Sequence, residues 1–316
     1  MRDSSQLKVA VTSRSFSKNP ILMHELSTRF PHAKFNTEGK ALKGDELIEF
    51  LKGMDGAIVA LEPIDEDVIK SLPSLKVVSK YGVGLNNIDL DCLKREQKTL
   101  GWTGGINARS VSELTLSFCL GISRNVFNSV SQMKNQTWTP SGGRQLTGKT
   151  IGIIGFGHIG RDLASLLQGF GVQILVNDII DYSNEAAPYG RFASKDEIYR
   201  NSDIITLHVP FTKETEGMID KAQFKLMKPD CLVINTSRGG IINETALIEA
   251  LEQQEIGAAA MDVFVKEPFT DGRLLNLPNF FATPHIGGSA EEAMLSMGRS
   301  AIQNLHEGFD SHPGSH

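Results

Sequence analysis

Apolar runs of strand character alternate with stretches of helical spacing along most of the chain. In the first third, LKVAVTS, GAIVALE and LKVVSKYG have the short, β-branched composition of buried strands. Between them, NPILMHELSTRF and GDELIEFLKG place apolar residues three or four positions apart, as an amphipathic helix does. Because parallel strands need a crossover connection, this rhythm predicts parallel sheets with helices on both faces.

A second series of the same kind follows a long apolar stretch, SVSELTLSFCLGISRNVFNSVSQMKN, which we predict to be one helix. Its strands are TIGIIGFG, VQILVND, SDIITLHV, CLVINTS, GAAAMDVF and FFATPH. We therefore predict an α/β protein of two doubly wound parallel-sheet domains, one flavodoxin-like and one Rossmann. The first comprises residues 1–105 with 289–316, because the C-terminal amphipathic helix is expected to pack back on it, and the second comprises 106–288.

Charge and cysteine content narrow the class of protein. The 316-residue chain has a formal net charge of −5 and no basic run, so we expect neither nucleic acid nor a membrane as partner, and an anionic substrate needs a local positive site. Cys92, Cys119 and Cys231 have no metal-like spacing and apolar neighbours. With no signal-like or membrane-spanning stretch, they predict a soluble cytoplasmic protein without a metal.

The pattern GFGHIG joins the apolar strand TIGIIG to an apolar-periodic helix. In this context Gly155 permits a tight turn, Gly157 lets backbone approach a diphosphate, and Gly160 lets helix and strand pack closely. The free N–H groups at the helix start favour a diphosphate. Asp178 ends the next strand, where a carboxylate accepts hydrogen bonds from a ribose and repels a 2′-phosphate, so we predict NAD rather than NADP. A structural glycine turn and an S-adenosylmethionine site are the alternatives.

Three further side chains stand at places suited to chemistry. Arg238 follows the apolar strand CLVINTS, and ligands of open α/β sheets bind beyond the carboxyl ends of strands. A guanidinium there suits a planar carboxylate. Glu267 in VFVKEPF and His285 in ATPHIGG lie in two Pro-punctuated turns. Taken alone, each of the three is also compatible with an exposed surface residue.

The chain resembles the D-isomer-specific 2-hydroxyacid dehydrogenases over nearly its full length. The segments that carry the resemblance are GVGLNNIDL, NARSVSELTL, GFGHIG, LHVPFTKET, INTSRGGIINETAL, AAAMDVFVKEP and TPHIGGSAEEA. Within the family it looks most like the phosphoglycerate dehydrogenase branch, in the short form without a regulatory domain. The resemblance implies an NAD-dependent enzyme, a homodimer joined through its NAD-binding domains, and an active site in the cleft between the two domains.

The resemblance also implies roles for individual residues. Arg238, Glu267 and His285 would form the catalytic trio: the imidazole exchanges a proton with the substrate oxygen, the carboxylate orients the imidazole, and the guanidinium holds and polarises the substrate. Asp262 would meet the nicotinamide carboxamide, with a helix or turn cap as its alternative role. The predicted cofactor-binding residues are Gly155, Gly157, His158, Ile159, Gly160, Asp178, Val209, Pro210, Ser237 and Asp262. The predicted substrate-binding residues are Lys80, Tyr81, Gly82, Val83, Gly84 and Arg238.

The identity of the acid stays open. Relatives that take 3-phosphoglycerate need extra cations for the phosphate, and Lys80 matches a position where they tend to carry Arg. They commonly place another Arg where this chain has Ala60, and Glu62 close by would repel a phosphate. Arg14 and Lys18, in the loop after the first strand, could compensate or could be solvated loop residues. Glyoxylate or hydroxypyruvate reduction is therefore an alternative, and an NAD(H)-sensing binding protein similar to a transcriptional corepressor is another.

Overall fold

The computed structural model describes residues 6–312 and divides the chain into two compact units. Unit 1 comprises the residues up to Asn107 together with those from Glu291 onward, and unit 2 comprises Ala108–Ala290. The predicted ends of the first domain, residues 1–5 and 313–316, lie outside the described part of the chain. No helix among the described residues is long and apolar enough to cross a membrane.

Unit 1 contains a five-stranded parallel sheet in the order β2-β1-β3-β4-β5. Its strands are β1 (Val9–Val11), β2 (Lys34–Phe35), β3 (Gly56–Val59), β4 (Val77–Lys80) and β5 (Thr99–Gly101), and its first helices are α1 (Pro20–Arg29), α2 (Gly44–Leu51), α3 (Glu66–Ser71) and α4 (Leu90–Arg95). Every residue of β1, β3 and β4 is buried, including the polar Ser79 and Lys80 of β4, as strands between helical layers are.

Side-chain caps fix where the helices of unit 1 begin. Asn19 accepts hydrogen bonds from the N–H groups of Ile21 and Leu22 at the start of α1, and Asp65 and Asp89 cap α3 and α4 in the same way. The last helix, α13 (Glu291–Ser311), packs on this sheet. The Ser79 hydroxyl donates to the carbonyl oxygen of Ala301 at 2.7 Å.

Unit 2 contains a seven-stranded parallel sheet in the order β12-β11-β10-β9-β6-β7-β8. Its strands are β6 (Thr150–Ile154), β7 (Gln173–Asn177), β8 (Arg191–Phe192), β9 (Ile204–Leu207), β10 (Leu232–Asn235), β11 (Ala258–Met261) and β12 (Phe280–Ala282). Its helices are α5 (Ala108–Ser123), α6 (Val126–Lys134), α7 (His158–Leu167), α8 (Ser183–Ala186), α9 (Lys195–Asn201), α10 (Lys221–Phe224), α11 (Glu244–Glu252) and α12 (Gly272–Leu275). Separate apolar clusters cover its two faces.

The predicted fold class, two doubly wound parallel-sheet α/β domains of which one is a Rossmann fold, is confirmed. The prediction of one helix over residues 110–135 is wrong, because α5 ends at Ser123 and α6 starts at Val126. Asn125 between them has a φ of 53°, a left-handed conformation that Asn tolerates better than most residues and that an α-helix cannot contain. The chain turns there, and the Phe127 ring lies where a Cβ atom on Gly121 would stand.

Strand order places one topological switch point in each sheet, where successive connections leave in opposite directions. In unit 1 this point lies between β1 and β3, and in unit 2 it lies between β6 and β9. Ligands of open α/β sheets bind beyond the carboxyl ends of the strands at such points. The residues that follow these four strands therefore decide what each unit can bind.

Candidate active site

The glycine pattern forms a tight turn between β6 and α7. Gly155 has a φ of +98°, and a Cβ atom there would lie 2.4 Å from the carbonyl oxygen of His208, which follows β9. A Cβ atom on Gly160 would lie 2.1 Å from the carbonyl oxygen of Gly155. Both positions therefore require glycine, the first for its backbone conformation and its close neighbour, the second because helix and turn are in contact.

The turn leaves room and donors for a diphosphate. A Cβ atom on Gly157, the N-cap of α7, would meet no atom within 4 Å, and no side chain caps this helix. Within residues 6–312, no backbone carbonyl accepts from the N–H groups of Gly157, His158 or Ile159. Free N–H groups at the positive end of a helix bind a phosphate favourably, so these residues fit the diphosphate of a dinucleotide.

Asp178 lies beside this turn at the end of β7. One of its carboxylate oxygens accepts from the Phe156 N–H at 2.6 Å and the other from the Ile180 N–H at 3.1 Å. A carboxylate has about four acceptor positions, so it can still accept from a ribose hydroxyl. Asp178 therefore stabilises the glycine turn, and its contact with a ribose stays a prediction. Val209 lies close to the same turn, with its Cγ1 3.0 Å from where a Cβ atom on Gly155 would be, and Pro210 after it is exposed.

Arg238 lies in the turn between β10 and α11, and the buried amide of Asn235 fixes that turn. Asn235 Oδ1 accepts from the N–H and the hydroxyl of Ser237, at 3.1 Å and 2.7 Å, and its Nδ2 donates to the Arg238 carbonyl oxygen at 2.9 Å. Burial lowers the pKa of the Arg238 guanidinium, and the negative charge of Glu267 opposes that shift. The two side chains are thus near enough for their charges to interact.

His285 and Glu267 form a hydrogen-bonded pair. The imidazole Nδ1 lies 2.8 Å from Glu267 Oε2, while Glu267 Oε1 accepts from the Phe264 N–H at 3.0 Å. The carboxylate is therefore held by its own turn while it orients the imidazole. His285 has a φ of 55°, a strained conformation for a non-glycine residue of the kind that concentrates at functional sites. The side chains of His285 and Glu267 are 46% and 38% exposed, so a ligand can reach both.

Asp262 anchors the turn that carries His285. Its Oδ1 accepts from the Thr283 hydroxyl at 2.5 Å and from the Ile286 N–H at 2.8 Å, and its Oδ2 accepts from the Gly287 N–H at 2.7 Å. The residue is 1% exposed. The structure thus gives Asp262 the turn-capping role that the sequence left as its alternative, and contact with a nicotinamide stays a prediction.

In unit 1, the predicted substrate loop follows β4. Within the described residues, no backbone carbonyl accepts from the N–H groups of Gly82, Val83 or Gly84. Gly82 has a φ of +132°, which few other residues adopt. Successive unengaged N–H groups form a concavity that suits a carboxylate. Tyr81 is buried, and its N–H donates to the Val59 carbonyl oxygen at 2.8 Å.

Lys80, the first residue of the predicted substrate-binding set, is 5% exposed. Its ammonium donates to the Ala60 carbonyl oxygen and to Asn87 Oδ1, the latter at 2.7 Å. Its charge is therefore directed at neighbouring protein oxygens.

Three further residues support these sites, although the sequence did not point to them. Asn235 could have been found from the polar end of the otherwise apolar strand in CLVINTS. The Trp102 indole N–H donates to the Val83 carbonyl oxygen at 2.9 Å and so supports the glycine loop of unit 1. Arg161 donates to the Phe156 carbonyl oxygen at 2.9 Å and lies over the Tyr182 ring at 4.3 Å. None of these three contacts leaves a signal in the sequence pattern.

Comparison with known proteins identifies relatives of unit 2 and of the whole chain. The sequence profile of the D-isomer specific 2-hydroxyacid dehydrogenase NAD binding domain matches residues 116–287. The glyoxylate reductase of Thermococcus litoralis is 32% identical over 314 residues, covering 94% of this chain and 92% of that enzyme.

Two further relatives extend the comparison. The D-3-phosphoglycerate dehydrogenase of Methanocaldococcus jannaschii is 37% identical over 269 residues, which cover 84% of this chain but 51% of that enzyme. The solved structure of D-lactate dehydrogenase with NAD+ from Lactobacillus jensenii matches with a TM-score of 0.81 at 29% identity, covering 96% of this chain and 97% of that one.

Proposed function

The chain belongs to the D-isomer-specific 2-hydroxyacid dehydrogenase family, and from this premise we propose that it interconverts a D-2-hydroxy acid and its 2-oxo acid with NAD. The observation that supports the proposal best is the pair formed by His285 and Glu267, whose Nδ1 and Oε2 are 2.8 Å apart. An oriented imidazole is the group that a carbonyl reduction needs to supply a proton.

The residues of the glycine turn would hold the cofactor. Gly157, His158 and Ile159 offer unengaged N–H groups to a diphosphate, and Asp178 retains acceptor capacity for a ribose. Val209, Pro210, Ser237 and Asp262 are proposed as further cofactor contacts. NAD, when bound, supplies the redox chemistry by carrying the hydride.

The proton moves at His285. Its Nδ1 is engaged by Glu267, so its Nε2 is the nitrogen we assign to the substrate oxygen. In reduction, Nε2 gives a proton to the carbonyl oxygen of the substrate while the carbonyl carbon gains a hydride. In oxidation, Nε2 takes the proton back from the substrate hydroxyl. Glu267 orients the imidazole ring and stabilises the positive charge of its protonated form.

Two sets of donors are proposed to bind the substrate. Arg238 in unit 2 would hold the carboxylate and polarise the carbonyl, because its guanidinium presents a fixed fork of donors. The backbone N–H groups of Gly82, Val83 and Gly84 in unit 1 would bind carboxylate oxygens, with Trp102 fixing that loop. We thus assign the substrate-binding glycine loop to unit 1, and NAD binding together with the Arg238 anchor to unit 2.

An NADH-oxidation screen tests the proposal directly. Purified protein is mixed with NADH and, in turn, glyoxylate, hydroxypyruvate, pyruvate and 2-oxoglutarate, and absorbance of NADH is followed. Steady turnover of at least one 2-oxo acid, with formation of the D-isomer of the product where the product is chiral, is the expected result. Binding of NADH without turnover of any acid would contradict the proposal and favour a cofactor-sensing protein.

We also propose a homodimer through unit 2. Helix α6 has no buried residue, and it exposes Val126, Phe127, Val130 and Met133, with Trp138 80% exposed just beyond it. Apolar clusters of this kind mark protein interfaces. Sedimentation equilibrium should give twice the chain mass, and Val130→Asp should shift it toward one chain. A monomeric wild-type protein at micromolar concentration contradicts the assignment.

The three cysteines support a reducing, cytoplasmic location. Cys92, Cys119 and Cys231 are all free and buried. Burial raises the pKa of Cys119 to about 12, so its thiol has little thiolate character. Fractionation of the source cells with an antibody against the protein would test the location.

A further inference from the structure

The switch point of unit 1 is occupied by a carboxylate. Thr12 follows β1, and Ala60 follows β3, so both stand where a ligand of this sheet is expected. Glu62 Oε2 joins the two strand ends, accepting from the Thr12 hydroxyl at 2.8 Å and from the Ala60 N–H at 2.7 Å. Both of these donors are neutral groups.

The neighbouring cation is Lys80, and its ammonium is engaged within the protein. The Lys80 ammonium is buried and donates to the Ala60 carbonyl oxygen and to Asn87 Oδ1. Asn87 in turn donates from Nδ2 to the carbonyl oxygens of Ala60, at 3.1 Å, and Glu62, at 2.6 Å. Lys80 and Asn87 thus bind the 60–62 turn to the residues around the glycine loop. Their polar atoms are used within the protein.

The same contacts place Glu62 next to the proposed carboxylate-binding loop. Asn87 connects the Glu62 carbonyl oxygen to the segment that follows Gly82–Gly84, and the Tyr81 N–H donates to the Val59 carbonyl oxygen at 2.8 Å. The end of β3 and the end of β4 therefore form one polar edge. A substrate whose carboxylate binds the glycine loop would have its other end within reach of that edge.

We propose that Glu62 selects the substrate by its distal group, excluding phosphate esters and accepting an uncharged hydrogen-bond donor such as the hydroxyl of hydroxypyruvate. Among the described residues, the hydrogen bonds to the Glu62 carboxylate both end at Oε2. Oε1 can therefore accept a hydrogen bond from such a hydroxyl. A dianionic phosphate at the same place would meet a like charge in a partly buried site. This inference rests on the proposed 2-oxo acid reductase function and specifies its substrate class.

The experiment compares three substrates with the full-length protein and NADH. Values of kcat/KM are measured for glyoxylate, hydroxypyruvate and phosphohydroxypyruvate. For the wild type we expect kcat/KM for phosphohydroxypyruvate to be at least about 100-fold below that for hydroxypyruvate, since like-charge contacts in an interface are strongly disfavoured. Comparable values for the two substrates overturn the inference.

Two variants test whether Glu62 is the cause. Glu62→Gln keeps an oxygen that can accept from Thr12 and Ala60 but removes the charge. We expect it to raise the kcat/KM ratio of phosphohydroxypyruvate to glyoxylate at least about tenfold. The matched control is Glu38→Gln, which removes an exposed carboxylate paired with Lys40 and should leave the ratio as in the wild type. An equal loss on all three substrates in Glu62→Gln would mean a purely structural role and overturn the inference.

The exposed Arg14, in the loop after β1, is the residue that could instead bind a phosphate ester. If the wild type uses phosphohydroxypyruvate well and Arg14→Ala removes that activity alone, Arg14 binds the phosphate and the inference fails. Failure of the parent proposal is distinguishable, because the protein would then reduce none of the three acids.

Discussion

The two sheets have the same kind of switch point but opposite chemistry at it. In unit 2, the ends of β6 and β9 enclose a glycine turn with unengaged N–H groups and an uncapped helix start. In unit 1, the ends of β1 and β3 are joined by the carboxylate of Glu62. The first suits a diphosphate and the second does not. Topology therefore tells where each unit binds its ligand, and a few side chains decide which ligand that is.

The largest expected effect concerns the chemistry that only unit 2 carries. His285→Ala should lower kcat for reduction of a 2-oxo acid by roughly 2–4 orders of magnitude, because proton transfer to the substrate oxygen is lost. NADH affinity, followed by fluorescence titration, should change little.

His306→Ala is the matched control for that variant. His306 also lies near a carboxylate, with its Nδ1 3.6 Å from Asp310, but it is on α13 in unit 1. It should keep wild-type kcat. Near-normal turnover in His285→Ala would remove the imidazole from the mechanism.

The next variant adds a carboxylate at the switch point of unit 2, where unit 1 already has the carboxylate of Glu62. Gly157→Asp places a carboxylate where the added Cβ meets no atom within 4 Å, so the fold should tolerate it. The Kd for NADH should rise at least about 100-fold, since the carboxylate would oppose the diphosphate. Isothermal titration measures this directly.

Gly169→Asp is the control for the added negative charge, because it places a carboxylate outside the glycine turn. A Cβ atom on Gly169 likewise meets no atom within 4 Å, and the residue is exposed outside the glycine turn. This variant should bind NADH as the wild type does. Equal losses in both variants, or none in Gly157→Asp, would contradict the placement of the diphosphate.

A smaller change is expected at the ribose position. Asp178→Asn keeps an oxygen that can accept from the Phe156 N–H but removes the charge that repels a 2′-phosphate. The ratio of the NADPH and NADH dissociation constants should fall about tenfold, consistent with one lost charge contact at a partly exposed site. Glu185→Gln, a carboxylate at the exposed helix α8, is the control. An unchanged ratio in Asp178→Asn would exclude the ribose assignment.

The fold could be predicted from the sequence because its signals are local. Strands such as GAIV and TIGII are short and almost wholly apolar, and the helices between them have a clear apolar stripe, so periodicity alone indicates parallel sheets. The glycine pattern was readable for a similar reason, since it stands between an apolar strand and a helical stretch in one continuous segment. The break at Asn125 was missed because NVFNSVSQMKN continues the helical spacing and contains neither Gly nor Pro.

The site was less predictable wherever a residue acts on a distant segment. The sequence could not tell that Asp262 would hold the turn of His285, or that Asn235 would fix the turn of Arg238. It also could not tell the direction of the Lys80 ammonium, which depends on Ala60 and Asn87 in other elements. Residue type and spacing identify candidates, but side-chain direction is set by tertiary packing and decides what the candidates do.

The smallest expected effect concerns His208, whose carbonyl oxygen lies close to Gly155 at the switch point of unit 2. Burial lowers the pKa of its imidazole to about 3, and its Nε2 lies 3.0 Å from the Thr206 hydroxyl. The folded protein therefore keeps this ring neutral, while the unfolded chain takes up a proton as pH falls through its ordinary value near 6.5. The stability that this pKa difference contributes is fully present above pH 6.5 and is lost as pH falls toward 3.

Between pH 7 and pH 6 the free energy of unfolding should decrease by about 0.7 kcal/mol from His208 alone. Urea denaturation of the wild type and of His208→Asn at both pH values measures it as the difference between their pH dependences, and identical dependences would show that the ring protonates equally in both states.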